Sequence, residues 1–127
     1  MAVTFTLVSC VRGYHIYKNV WIPVVGETVN CEREDRNPQD PYAVGLKKDG
    51  TTVGHVPRTI SCICTLLLRR GGVIEATVTG PQYSQDLPQG GLELPCTYRF
   101  TGEETLAKKA RQLLLDEHDG VSELEGM

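Results

Sequence analysis

The sequence predicts a mainly β protein: a small barrel of OB or SH3-like type with about six strands, one inserted helix near residues 59–70 and one C-terminal helix near residues 103–116. Three observations lead there. Alternating apolar runs rich in β-branched residues recur between turn residues, Asp49-Gly50 separates two of them, and only two stretches carry helical spacing. Closing such short strands into a barrel removes exposed edges, and helices can plug its ends.

Val3 to Cys10 alternates in the period-2 manner of a half-buried strand, with Val3, Phe5 and Leu7 on one face, until Arg12-Gly13 interrupts it. His15 to Val25 is rich in β-branched and aromatic residues, and Pro23 marks an edge or a bend. Glu27 to Arg33 is a strand with Val29 and Cys31 facing in, and Asp35 to Pro41 is turn chemistry. Tyr42–Lys47 and Thr51–Val56 flank Lys48-Asp49-Gly50, a hairpin signal, since Asp and Gly accept the positive φ angles of a tight turn.

After Pro57 a helix is expected to Arg70, with Ile60, Ile63, Cys64 and Leu67 as its core stripe and Gly71-Gly72 as its stop. Val73–Thr79 alternates as a strand, Gly80 to Gly91 reads as a twelve-residue loop, and Leu92–Phe100 as a last strand that Pro95 keeps partly at an edge. The second helix places Leu106, Ala110, Leu113 and Leu114 on one side, and the tail HDGVSELEGM is expected to fray.

At 127 residues, 40% hydrophobic and 23% charged, the chain has the size and composition of one folded domain. No apolar run approaches the ~18–20 residues of a membrane span, and the N-terminus lacks a basic, apolar secretion signal. The five cysteines contain no CxxC pair, and Cys62-Ile63-Cys64 is poorly spaced for structural zinc. Free, mostly buried thiols in the reducing nucleus or cytoplasm are the expectation, with no metal and no cofactor.

Net charge is −3, but residues 103–127 hold seven acids against three bases while residues 1–102 hold ten bases and nine acids. A near-neutral body can carry a local basic pocket, but not the broad basic stripe of a nonspecific duplex binder. This divides the chain into a barrel over 1–102 and a helix with an acidic tail over 103–127.

One stretch is too specific to be filler: CEREDRNPQDPYAVGLKKDGTTVGHVPR, residues 31–58. An antiparallel hairpin turning near residues 48–50 brings Asp40 or Tyr42 beside His55 to Arg58. The plain reading is that Asp40 caps its own turn and pairs with Arg58 at the surface. His55 alone reads as a structural histidine.

The order Val11-Arg12-Gly13, Gly26-Glu27, Arg33-x-x-x-Asn37-Pro38-x-Asp40-x-x-Ala43-Val44 and Val53-Gly54-His55-x-Pro57-Arg58 resembles the HIRAN domain, over about Leu7 to Phe100. That family supplies modules of fork-remodelling ATPases and also isolated or transposon-associated proteins. The resemblance implies an OB-like barrel and a pocket for the 3′ end of single-stranded DNA. It assigns Asp40 to the free 3′-hydroxyl, His55 and Arg58 to phosphate and sugar, and Tyr17 to stacking of the terminal bases. Gln39 stands where the family has an aromatic, with Tyr42 nearby, and His15-Ile16-Tyr17 replaces a basic-aromatic-aromatic run.

The DNA-binding candidates are thus His15, Tyr17, Gln39, Asp40, Tyr42, His55 and Arg58. A carboxylate accepts from a hydroxyl but repels a terminal phosphate, and an aromatic face stacks any base. The alternative is a protein-interaction module using the 80–91 loop or the C-terminal helix, its DNA pocket having degenerated. A nucleophile-base-acid set could be drawn from Cys31, His55 and Asp40, but no signature residues surround it, and no catalytic residue is assigned.

Overall fold

The computed structural model describes residues 1–13, 21–34, 38–80, 83–85 and 91–126. Its strands run β1 (Ala2–Val11), β2 (Thr28–Arg33), β3 (Val44–Lys48), β4 (Thr51–His55), β5 (Val73–Val78), β6 (Tyr83–Gln85), β7 (Gly91–Glu103) and β8 (Glu125–Gly126). Helix α1 (Arg58–Arg69) follows β4, and α2 (Glu104–Leu115) follows β7. The sheet is ordered β4-β3-β2-β5-β7-β1-β8, with β6 paired to β7. It closes on itself where Arg12 and His55 exchange both backbone bonds, at 2.7 and 2.9 Å. Among the described residues the result is the expected six-strand, OB-like barrel, with two helices and two accessory strands.

Local chemistry explains the elements. Asp49 and Gly50 adopt φ of 52° and 80° between the paired Lys48 and Thr51, giving the two-residue turn that requires positive φ at both positions. Helix α1 stops in a Schellman arrangement: Gly71 at φ 88° donates to Leu68 O, and Gly72 N to Leu67 O. Its buried stripe is Ile60, Ser61, Cys64, Thr65 and Leu67. Inside the barrel Val3, Phe5, Leu7, Val29 and Cys31 point inward as predicted, and the Phe5 and Phe100 rings stack with centroids 4.8 Å apart. Trp21 is core, and its indole nitrogen donates to Glu27 Oε1.

Four expectations are corrected. The tail does not fray. Glu125–Gly126 pairs with Thr4 and Val3, Ser122 N donates to Thr6 O, and Val8 N donates to Gly120 O, so the tail occupies the open edge of β1. The stretch from Gly80 to Gly91 is not a plain loop, because Tyr83–Gln85 pairs with Glu93 to Gly91; residues 81–82 and 86–90 lie outside the described residues.

Pro95 is not in an edge strand, since β7 lies between β5 and β1. Its carbonyl accepts from Thr79 N, and the N and O of a strand residue point the same way. The missing N–H therefore faces Thr79, one residue past the end of β5, where its absence costs a single bond at the margin of the ladder. Finally, Leu113 is exposed, and the inner face of α2 is Leu106, Ala107, Ala110 and Leu114, the spacing that packs against α1 and the barrel.

Candidate functional site

Among the described residues, the candidates Gln39, Asp40, Tyr42, His55 and Arg58 gather at the open end of the β3–β4 hairpin. Asp40 sits in the turn before β3, where its carbonyl accepts from Ala43 N at 3.1 Å and its Oδ1 from Tyr42 N at 3.0 Å. That Asx turn fixes the carboxylate on its own backbone. Oδ2 lies 4.0 Å from Arg58 Nε. Arg58 opens α1 directly after Pro57, and its guanidinium is largely exposed while the Asp40 carboxylate is largely sheltered. An acceptor held in place beside an exposed cation can address a hydroxyl and a phosphate together.

Tyr42 is exposed, and its carbonyl accepts from Thr65 Oγ1 at 3.0 Å, which ties the turn to α1. Gln39 precedes Asp40 and is exposed. His55 ends β4 through the Arg12 bridge that closes the barrel, and its Nε2 lies 2.6 Å from Glu34 Oε1. His15 and Tyr17 lie outside the described residues. The structure thus brings Asp40, Tyr42 and Arg58 together and anchors His55 at the same end of the hairpin.

Sequence reading assigned no role to Glu34, and placed Arg12 only within the Val11-Arg12-Gly13 motif. Glu34 was hidden in a run of charges, and its signal was Gly45, a glycine in the middle of a buried strand. The catalytic set is not supported by its thiol. Cys31 lies in the core, where burial raises its pKa, as it pushes Cys64 and Cys96 up to about 12. A thiol held neutral is a poor nucleophile. Cys31, Cys64 and Cys96 are free and buried, and of the five cysteines Cys62 alone is exposed.

The family model of the HIRAN domain matches residues 4–100. Among solved structures, the crystal structure of the HIRAN domain of human HLTF superposes with a TM-score of 0.72 at 19% identity, covering 96% of this chain and 98% of that one. An NMR structure of the HLTF HIRAN domain gives 0.68 at 20% identity over 93% and 90%. The NMR structure of that domain in its DNA-bound conformation gives 0.58 at 20% over 87% and 86%. A search of curated proteins found no match. With the family model spanning most of its length and the barrel closed as described, this chain belongs to the HIRAN domain family.

Proposed function

We propose that the chain is a non-catalytic nucleic-acid-binding module that takes single-stranded DNA by its free 3′-hydroxyl end. The observation that carries the reading is the Asp40 carboxylate, fixed by the Tyr42 amide and set 4.0 Å from the Arg58 guanidinium. The hydroxyl donates to Asp40, Arg58 holds the neighbouring phosphate, and His55 lies against the same backbone. Tyr17 and Tyr42 supply aromatic faces for the terminal bases, with His15 and Gln39 as polar contacts. Membership of the HIRAN family supports a nucleic-acid ligand, as does the DNA-bound conformation recorded for the HLTF domain. Free core thiols support a reducing nuclear or cytoplasmic setting.

The test is fluorescence anisotropy with a ten-base strand ending in a 3′-hydroxyl or a 3′-phosphate. The wild type should prefer the hydroxyl by about tenfold or more, the range of a charge-assisted hydrogen bond. Asp40→Asn retains an oxygen for the Tyr42 amide but loses the charge, and should accept both ends nearly equally. Salt dependence should be shallow, with a log–log slope of about −0.7 to −1.4 for one or two phosphates. Equal binding of both ends by the wild type, falling steeply with salt, would refute end recognition.

A further inference from the structure

Glu34 follows β2 and is fixed at its backbone, donating from N to Ala43 O at 2.9 Å. Its side chain then crosses β3 at Gly45, where a Cβ would come within 2.9 Å of Oε1. A side chain at this position would push the Glu34 carboxylate off that path. The carboxylate ends on His55 Nε2 at 2.6 Å, with both side chains mostly sheltered, 15% and 21% exposed. On the far side of the ring stands Gly13, at φ 74°, where an added Cβ would lie 4.0 Å from Nδ1. The backbone N and O of His55 are both committed to Arg12. One histidine is therefore fixed from the ends of β1 and β2 and by its pairing with Gly45 of β3 at once.

A carboxylate can only accept, so Nε2 carries the hydrogen and the plane of the ring is set by Glu34. We propose that Glu34 is a positioning residue of the DNA site: it fixes the tautomer and orientation in which His55 meets the strand end. This rests on the reading of the site given above. The sign of its effect sets it apart from simple charge. An acidic group near a phosphate-binding site weakens binding, so deleting Glu34 would tighten the complex if the carboxylate acted only through its field. A positioning role demands the opposite.

The experiment measures binding of the ten-base 3′-hydroxyl strand by the full chain and five variants. Glu34→Ala should weaken binding about fivefold, and the double variant with His55→Ala should be no weaker than His55→Ala alone, because the two residues act as one unit. Glu34→Gln, whose amide oxygen still accepts from Nε2–H, should recover most of the loss. Gly45→Ala keeps both groups but obstructs the side-chain path, and should reproduce the weakening. Nitrogen-15 NMR of the imidazole should show the Nε2–H form in the wild type and its loss in Glu34→Ala. Unchanged or tighter binding by Glu34→Ala, or additive losses with His55→Ala, would overturn the positioning role while leaving the proposed function standing. Failure of the wild type to bind the strand would remove the site reading and this role with it.

Discussion

The open edge of β1 is covered in two places, and the two covers are made of opposite materials. At its C-terminal end Arg12 bridges to His55 of β4, with Val11 and Gly54 buried against each other. Along its first half the cover is the tail, residues 120–126, in which Glu123, Glu125 and Gly126 are exposed and Val121 and Leu124 rest at the margin of the core. The first closure relies on contact so close that one partner must be glycine. The second relies on a few backbone bonds and two partly buried side chains. A closure that carries the proposed DNA-site histidine has to hold its geometry tightly, whereas one that only hides an edge from other chains needs coverage alone.

The inner closure should break most severely. A Cβ on Gly54 would fall well inside the van der Waals envelope of Val11 Cγ1, and Val11 is a stiff, β-branched residue with no exposed side to move into. Gly54→Ala should cost about 1–3 kcal/mol or more, a fall in Tm of roughly 5–15 °C by thermal unfolding. DNA binding should fall with it, because His55 is the next residue. Gly126→Ala, with nothing near the added Cβ, serves as the silent control in the outer closure. If both variants melt alike, the contrast is wrong.

Removing residues 119–127 tests the outer closure alone, since the bonds from Glu117 N and His118 N to Leu114 O that finish α2 remain. The loss comprises the bonds to Thr6 and Val8 and the cover from Val121 and Leu124, about 1–3 kcal/mol in all. The exposed edge should also promote self-association, visible by light scattering. Three acids and no Lys or Arg leave with the segment, taking the formal charge from −3 to 0. Affinity for single strands should therefore hold or rise at low salt. Loss of binding by a folded, truncated chain would show that the tail belongs to the site.

The two closures also differ in how far they could be read from sequence. Asp49-Gly50, Gly71-Gly72 and the alternation of Val3, Phe5 and Leu7 encode their structures within a few residues, so they were legible. The approach of Asp40 to Arg58 followed from one hairpin whose turn was known. Docking of the tail was not legible, because its strand is two residues long and its partners lie more than a hundred residues away. Nor was Glu34, whose meeting with His55 depends on the β2–β3 register and on a side chain passing over Gly45. Leu113 misled for a different reason: three neighbouring leucines satisfy helical spacing in more than one way, and only the packing of α2 on α1 decides which turn outward.

The mildest perturbation separates the closures most cleanly. Arg111 donates from Nε to Ser122 O at 2.7 Å and lies 3.5 Å from the Glu123 carboxylate. Because the Glu123 side chain is almost fully exposed, the ion pair contributes little and the bond to Ser122 carries the contact. Arg111→Ala should cost only about 0.5–1 kcal/mol, too little to unfold the domain but enough to loosen the tail locally. Native-state hydrogen exchange should then quicken at the amides of Thr6, Val8 and Ser122. The amides of Arg12 and His55 should keep their wild-type rates. Acceleration at both sets would mean that the two covers open as one unit, and the tail would then control the geometry of the site rather than merely shield an edge.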